Sequence, residues 1–537
     1  MPLSLKDLAP FRLLIDDEDM TFLLADSWTF SSKDPGGYEA ASFSVPRDVP
    51  GVLRGAPVLL TSGLSTAWEG RVSQIQRSLG NRTSIVCEGY SSLLADNTGS
   101  MVFIDRDLTR WGAPSVTRQA ALIAVGLQLG STQVAADPSS NAPALVQTIQ
   151  DSWVSPYQPI CETVYDAGPE NALGAMYAEL SGAGVIGQGG NWLQAGGFAS
   201  DSTLTTSVES GNDNAGGPLT FGSGGNAWRF AFLQHRYTAN PGGSQGATYN
   251  VYWSNLAVYG NHGMAQRGAS PGGYYPSDIA GWVVAQVPGL QMGVTQATDE
   301  TGFILPHSVY YTPVTLDTMM ADMATAAGWH WGVWESQASL TGDPRPRVDF
   351  RPRPALGQFT AFCERRDTTA CDVREDLSQQ FNKCVVTYTD AAGTAGAVTV
   401  TMDNPILDQA GIASRTLPIS AGTMDAPTAA LYGQEALAFT YQSARVAGSI
   451  QIDQPIDTGG GPGPAWLLKP GIDRIRIGDL PSTDAFGTYN DLPISRMEFS
   501  GSSAGFSTSL EVGSGANLVE TLNARIQSAT FLAGQGG

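Results

Sequence analysis

Hydrophobic and polar residues alternate along the first part of the chain, and this alternation predicts β-strands. Phe11–Asp17, Asp19–Ser32 and Tyr38–Pro46 carry apolar side chains at nearly every second position, and Gly- and Pro-containing turns separate them. A period of two gives each strand one face for a core and one face for solvent. The same pattern continues in three further predicted strands: Gly55–Gly63, Glu69–Ser78 and Thr83–Tyr90.

The end of the chain echoes these three strands. A Gly-led strand, Pro470–Leu480, is followed by LPISRMEFS (Leu492–Ser500), which matches EGRVSQIQRS at the other end in its Val/Ile-Ser pair. A third strand, Ser507–Ser514, completes the echo. Two similar β-modules separated by nearly the whole chain favour an assembly protein with a duplicated unit over an enzyme.

The middle of the chain changes its period. Val116–Gly130, Ser277–Val287 and Thr315–Trp329 have the apolar spacing and end signals of helices. Between them, residues 145–262 are rich in Gly, Asn, Ser and aromatic residues, with short alternating strands at Ala227–Tyr237 and Thr248–Gly260. This composition predicts an inserted β-sandwich of the jelly-roll kind.

The expected fold class is therefore mainly β with an α+β middle. Phe381–Asp390 and Ala395–Asp403 predict a hairpin in the last third, and Ala426–Ala444 and Ala516–Phe531 predict helices. The predicted divisions are an N-terminal β-domain (1–95), a helical and loop part of the middle domain (96–144), the inserted sandwich (145–262), an α/β middle domain (263–374), and a C-terminal β-domain with a terminal helix (375–537).

The composition of the chain excludes some classes of function. The 537 residues carry a net charge of −21, and charged residues make up 15% of the chain, against ~25% in a typical protein. Affinity for nucleic acid comes mainly from Lys and Arg on phosphates, so a stable DNA or RNA binder is not expected. The five cysteines include no CxxC pair, which favours free thiols in a reducing cytoplasm over a zinc site. We expect neither a signal peptide nor a transmembrane helix.

Candidate catalytic and metal-binding residues are sparse. The four histidines, His235, His262, His307 and His330, have no His at i+4 and no neighbouring Cys, and nucleotide-binding and hydrolase motifs are absent from the sequence. Packed or surface histidines are the favoured interpretation. We therefore expect no enzymatic activity, no cofactor and no metal site. A hydrolase site made of two acidic residues that folding brings together is the alternative that the sequence leaves open.

Two polar segments each have two interpretations. Arg345, Arg347, Arg351 and Arg353 alternate with Pro and apolar residues, and they favour a strand with solvated arginines over a contact to an acidic partner or phosphate. Ile15–Asp19 is acidic but lacks the spacing of a Ca²⁺ loop, so a solvated turn is favoured.

Aromatic residues of the predicted sandwich form the candidate binding site. Flat rings stack on sugars, but alternate aromatics in a sandwich usually face its core. Tyr252 and Trp253 are adjacent in one strand, so they are expected to point to opposite faces. The candidates for glycan contact are Trp228, Tyr237, Tyr252 and Trp253.

The pattern resembles a known family. Trp68–Ile75 with Val86–Tyr90, and Asn382–Tyr388 with Pro470–Ile477, resemble the paired barrel domains of the tail hub (baseplate hub) proteins of long-tailed bacteriophages. In domain order, the chain is similar to the minor tail proteins of phages that infect actinobacteria, whose jelly-roll insertion ends like Val251–Gly260.

This resemblance implies two tail-tube-like β-barrels, one at each end of the chain. It also implies a homotrimeric virion protein at the tail tip, assembled in the host cytoplasm, which adapts a six-fold tube to a three-fold tip and lines a DNA channel. The implied partners are the distal tail or tail-tube protein, the C-terminus of the tape-measure protein, other tip or fibre proteins, and DNA that passes without stable binding. Host cell-wall glycan binding through the sandwich is the alternative function.

Overall fold

We analysed a computed structural model of the chain. It describes residues 11–78, 82–124, 131–139, 143–150, 159–181, 192–204, 207–213, 217–222, 228–237, 248–295, 304–336, 343–353, 360–375, 380–389, 394–423, 426–442, 446–458, 462–478, 489–502 and 505–513. The described part is mainly β, as predicted, and its strands form several sheets.

The largest sheet joins both ends of the chain. Its antiparallel strands run in the spatial order β1-β5-β6-β7-β4-β3-β32-β33-β28-β24. Their apolar faces share one core with residues from both ends, such as Trp68 and Leu510. The strand bounds are β1 Phe11–Ile15, β3 Ser27–Lys33, β4 Gly36–Val45, β5 Pro57–Ser62, β6 Ser65–Arg77, β7 Thr83–Gly89, β24 Thr368–Glu375, β28 Val446–Ile452, β32 Tyr489–Ser502 and β33 Gly505–Val512.

Shorter strands branch from this sheet. A parallel contact with β4 leads to β21 (His330–Trp334), β22 (Arg347–Arg351) and β19 (Gln291–Thr295). From β32 a second branch leads to β31 (Arg474–Gly478) and β23 (Ala361–Glu364). The remaining short strands are β2 Glu18–Asp19, β29 Ile456–Asp457 and β30 Pro462–Gly463.

Two facing sheets form the predicted sandwich. One has the order β10-β11-β18-β13-β16 and the other the order β15-β14-β17-β12-β9, with a common apolar core between them. The bounds are β8 Thr98–Asp105, β9 Trp111–Gly112, β10 Ser131–Ala136, β11 Pro143–Gln150, β12 Pro159–Asp166, β13 Leu173–Ser181, β14 Trp192–Ala199, β15 Ser207–Asp213, β16 Gly217–Gly222, β17 Phe230–Tyr237, β18 Thr248–Gly260 and β20 Ser308–Thr315. Strand β8 pairs with both β18 and β20, and so ties the sandwich to the middle of the chain.

Two helices pack on strands in the middle of the chain, and another helix packs on a separate small sheet. The helices are α1 Ser92–Ala95, α2 Val116–Ala124, α3 Pro276–Ala285, α4 Leu316–Ala327, α5 Pro405–Gln409 and α6 Ala426–Gln442. Helices α3 and α4 share a core with β21 and β22. Helix α6 shares a separate core with β25 (Lys383–Thr389), β26 (Ala395–Thr401) and β27 (Thr416–Thr423), which form their own sheet.

The structure corrects several expectations. In the described residues the sheets do not close into a barrel, because β1 and β24 end the large sheet without pairing with each other. Residues 96–144, predicted to be helix and loop, contribute β8, β9 and β10 to sheets of the sandwich. Residues 375–537 are not one barrel, since the unit around α6 has its own core. The predicted strand Asp19–Ser32 is interrupted by a 3₁₀ turn, Thr21–Ala25, which buries Leu23.

The predicted terminal helix Ala516–Phe531 lies outside the described residues. Within them, none of the helices combines the length and apolar character needed to cross a membrane.

Candidate assembly site at the seam of the chain ends

The two echoing ends of the chain meet directly, as neighbouring strands. Strand β3 pairs with β32 in antiparallel register from Ser27↔Ser502 to Lys33↔Arg496. This seam, defined as the β3–β32 pair, makes the N-terminal and C-terminal strands one continuous sheet. The sequence echo predicts two similar modules, and folding joins their edges.

Aromatic packing under the seam explains the pairing. Trp28 and Phe499 are buried on the same side of the sheet, with ring centroids 4.7 Å apart. Phe11 lies 4.6 Å from Trp28, and Trp466 lies 5.2 Å from Phe499. Each such aromatic contact is worth ~0.5–1.5 kcal/mol beyond its buried area. The cluster draws residues from β1, β3 and β32, so neither end can complete this core alone.

One end of the outer face of the seam, around Thr29 and Ser500, is uncharged, whereas the other end carries Lys33, Arg496 and Glu498. Thr29 and Ser42 share a hydrogen bond of 2.8 Å there, and Ser500 and Ser507 occupy opposite positions on the next two strands. A shallow cavity of about 510 Å³ lies over this hydroxyl-rich surface. Short uncharged side chains therefore cover this end of the face, while Lys33 and Arg496 form ion pairs with Glu39 at the other end.

A buried ion pair locks the seam to the middle domain. Asp34 follows β3, and its carboxylate contacts Arg353 and lies 2.7 Å from Nδ1 of His330. The Asp34 and His330 side chains are 1% and 0% exposed. Burial alone would raise the pKa of Asp34, but the His330 hydrogen bond and the Arg353 charge outweigh burial and lower that pKa. The Asp34 backbone N–H also donates to Ser495 O, at 2.9 Å, so one residue ties three parts of the chain together.

A second polar cluster lies at the same junction. Tyr38 on β4 donates a hydrogen bond of 2.9 Å to Glu335, which follows β21. Lys469, which precedes β31, forms an ion pair of 2.5 Å with the other oxygen of Glu335. Glu69 on β6 accepts the backbone N–H of Ser336 at 3.2 Å. The cluster therefore joins the N-terminal strands, the middle domain and the C-terminal strands.

Strand β24 ends the large sheet with one partner only. It pairs with β28, and no described strand lies on its other side. Its residues Thr369, Ala370, Cys371 and Asp372 are all exposed, which leaves both faces of the strand open. A long strand with free N–H and C=O groups is a template for pairing with another chain.

The cysteines distinguish this edge from the rest of the molecule. All five are free, and Cys371 on β24 is the exposed one. Burial raises the pKa of the Cys87, Cys161 and Cys363 thiols to about 12. The chain thus carries a natural chemical probe at its open edge.

The candidate glycan residues do not form one exposed surface. Trp228 and Trp253 lie in the core of the sandwich, and Trp253 Nε1 donates to Gln147 at 3.0 Å, so neither ring offers an open face to a sugar. Tyr252 points to the opposite side and is half-buried. The side chain of Tyr237 lies outside the described part of the structure. Glycan binding by this sandwich stays a prediction.

In the structure, the arginines of segment 345–353 are held in ion pairs. The predicted solvated arginines are partly buried: Arg347 pairs with Asp349, and Arg353 pairs with Asp34. Arg345 remains near the surface with Asp343. The Asp34–His330–Arg353 contact was not predictable from sequence, because its three residues are far apart in the chain and match no motif.

Two of the candidate residues, His235 and Asp19, have structural environments. His235 is fully buried, and burial lowers its pKa to about 3. Asp19, in the acidic Ile15–Asp19 turn, contacts Arg12 at 3.2 Å and caps the backbone N–H of Thr21. In the described residues, no group of three or more His, Cys, Asp or Glu side chains is arranged to hold a metal ion.

Comparison with known proteins gives structural likenesses only. No family model and no curated protein matches the chain. A tail protein from Neisseria meningitidis is similar with a TM-score of 0.42 and 8% identity, over 96% of this chain and 99% of that one. The 43 kDa tail protein of prophage MuSo2 from Shewanella oneidensis gives 0.37 and 10%, over 96% and 99%. Prophage tail protein gp18 from Listeria monocytogenes gives 0.36 and 10%, over 97% and 99%.

Proposed function

We propose that this chain is a structural protein of a bacteriophage tail and that it forms a homotrimeric hub at the distal end of the tail tube. The observation that carries the proposal is the seam, where β3 and β32 join two related sets of strands into one sheet. A chain that presents the same kind of module twice suits a place where two symmetries meet. Three such chains would bring together six related sets of strands, joined in pairs at three seams, which would match a six-fold tube to a three-fold tip.

The open edge of the sheet supports assembly with other copies. Residues Thr369–Asp372 of β24 are exposed on both faces, no described strand pairs with the outer edge of β24, and soluble proteins normally protect such edges. In the proposed ring, a strand of the neighbouring copy covers β24. The uncharged end of this outer face, around Thr29 and Ser500, suits a surface that lies against other subunits, since the residues that line its cavity carry no charge that would have to be desolvated.

The charge of the chain supports passage of DNA without stable binding. At a net charge of −21, the protein has few basic groups to release counterions from phosphates. An acidic lining repels the phosphate backbone and lets the duplex slide. The proposed neighbours are the distal tail or tail-tube protein, the tape-measure C-terminus, and other tip or fibre proteins. The protein would be assembled in the host cytoplasm and reside at the virion tail tip.

We also infer that the sandwich is a jelly roll. Its two sheets contain β11-β18-β13-β16 and β12-β17-β14-β15, so successive strands cross repeatedly between the sheets. This interleaved order is the strand order of a jelly roll built from two Greek keys. The inference would fail if an experimental structure paired these strands in another order.

Native mass spectrometry combined with thiol labelling tests the hub proposal. A trimer is expected, alone or with a tail-tube protein, and Cys371 should react with a maleimide in the monomer but be protected in the trimer. The four buried cysteines are internal controls, because they should stay unlabelled in both states. A chain that remains monomeric with tail partners, or a trimer whose Cys371 labels as fast as the monomer, would contradict the proposal.

A further inference from the structure

The sheet of the unit around α6 has two edges that differ in chemistry. Strand β26 (Ala395–Thr401) pairs with β25 without a register shift, and no described strand lies on its other side. It contains neither a charged residue nor a proline. Strand β27, at the other edge, carries Pro418, and its register with β25 shifts between Thr387 and Thr389. Proteins protect edge strands with charges, prolines and bulges, so β27 has such protection and β26 lacks it.

Helix α6 covers one face of β26 and leaves the other face open. Val398 and Val400 pack against the core that α6 shares with β25. The helix approaches closely, since a Cβ at Gly433 of α6 would lie 2.9 Å from Cγ2 of Val400. The alternate residues Ala397 and Thr399 are exposed. Strand β26 is therefore held in place while its edge and one face stay accessible, which is the arrangement that accepts an added strand.

The chain attaches this unit at the open end of the large sheet. Strands β24 and β28 pair antiparallel, and Glu375↔Val446 is the last pair of their register. The unit around α6 lies between these two residues in the sequence, so it is attached where β24 ends. In the described residues β26 does not pair with β24 of its own chain. This part of the chain thus carries two unpaired edges that do not satisfy each other.

We propose that β26 of one copy adds to the free edge of β24 in the neighbouring copy, and that repetition of this contact closes the ring. The inference rests on the proposed trimer and names the strand that covers β24. Two unlike edges that pair head to tail can generate a ring, whereas a strand that pairs with its own copy gives a two-fold dimer. A three-fold ring therefore needs two unlike edges, and β24 and β26 are such a pair.

Length and charge make β26 a suitable partner for β24. Strand β24 spans eight residues and β26 spans seven, so nearly the whole edge could pair. The exposed part of β24, Thr369–Asp372, carries the acidic charge of Asp372. Like charges that face each other across a strand pair are destabilising. An uncharged strand avoids this repulsion in any register, and backbone hydrogen bonds supply the affinity of an added strand.

Hydrogen–deuterium exchange of the full-length chain tests the pairing. The added strand gives new hydrogen-bond partners to backbone N–H groups at both edges, so peptides covering β24 and β26 should exchange at least tenfold slower in the trimer than in the monomer. Peptides from β27 should exchange equally in both states. A trimer in which β26 exchanges as fast as in the monomer would overturn this inference and leave the hub proposal standing. A chain that stays monomeric with tail partners would overturn both.

Disulfide trapping then identifies the partner of β26. Cys371 and Ala370 are exposed neighbours that point to opposite faces of β24, so the natural Cys371 probes one face, and Ala370→Cys in a Cys371→Ser chain probes the other. Each of these two chains receives one cysteine at an exposed position of β26, which is Ala395, Ala397, Thr399 or Thr401. During assembly the two thiols, one on each copy, transfer two electrons and two protons to oxidised glutathione, and their sulfur atoms form the cross-link.

At least one combination should give tenfold more covalent dimer and trimer than Ser420→Cys, the matched variant at an exposed position of β27. Residues that face each other across a strand pair have Cβ atoms ~4.5–5.5 Å apart, close to the separation that a disulfide spans. A yield no higher than that of Ser420→Cys in every combination would overturn the pairing of β26 with β24. A covalent dimer of the unmodified chain through Cys371 would show that two β24 strands pair with each other, and would also overturn it.

Discussion

Substitution of Asp34 by Asn should open the junction between the seam and the middle domain. Asn keeps the size of the side chain and one oxygen for His330, but it removes the negative charge that faces Arg353. Removal of one partner from a buried ion pair costs ~3–5 kcal/mol. Arg353 is 22% exposed, so water partly compensates and the lower end, about 3 kcal/mol, is expected.

Local exchange is the suitable assay, because a chain with several cores need not unfold in one step. A loss of about 3 kcal/mol corresponds to a ~100-fold higher opening constant for amides in β21 and at the end of β3. Asp26→Asn is the matched control, since Asp26 and Arg82 form an ion pair at the surface, with 43% and 54% exposure, and such pairs contribute ~0–1 kcal/mol. A change below about threefold for Asp34→Asn, or an equal change for both variants, would refute the structural role of this pair.

Acid should weaken the same junction in the wild-type protein. The folded-state pKa of Asp34 is lowered, so its contribution is complete above the usual value of 3.8 and is lost as the pH falls through the folded-state pKa. Exchange at β21 should therefore accelerate below about pH 3.8 in the wild-type protein and less in Asp34→Asn. Equal acid sensitivity of the two proteins would count against this assignment.

Two further substitutions test the close packing at Gly471 and the buried hydrogen bond of Trp253. Gly471→Ala should lower the thermal unfolding temperature more than Gly411→Ala does. Both glycines have a left-handed φ, of +76° and +69°, so the added backbone strain is similar. A Cβ at Gly471 would lie 2.1 Å from Nδ1 of His330, whereas a Cβ at Gly411 would meet nothing within 4 Å. Equal losses would mean that backbone strain alone, ~1–2 kcal/mol, explains both. Trp253→Phe should destabilise the sandwich by ~1–3 kcal/mol, because the side-chain oxygen of Gln147 loses a buried hydrogen-bond donor. Calorimetry measures this loss of stability. An unchanged stability would contradict the conclusion that this hydrogen bond is buried.

The sequence determined the local elements of this protein. Alternation placed β4, β7, β32 and β33 close to their observed bounds, and β25 and β26 pair antiparallel as the predicted hairpin requires. The spacing and end signals of Thr315–Trp329 predicted α4, and Gly328 ends this helix in the left-handed conformation. These features are readable because periodicity and end signals act over a few residues.

Tertiary structure alone decided which strands pair and which polar groups meet. Alternation shows that a strand has a buried face, but not which strand lies beside it, so the predicted barrels became one open sheet across the seam. The sequence likewise marked Trp253 and Arg353 as candidates for surface contacts, whereas folding buried the first in the sandwich and directed the second to Asp34. Burial is a collective property of distant segments, because a side chain is removed from water only when its neighbours in space are in place. The duplicated pattern was therefore visible in the chain, and the joining of its two copies was visible only in the fold.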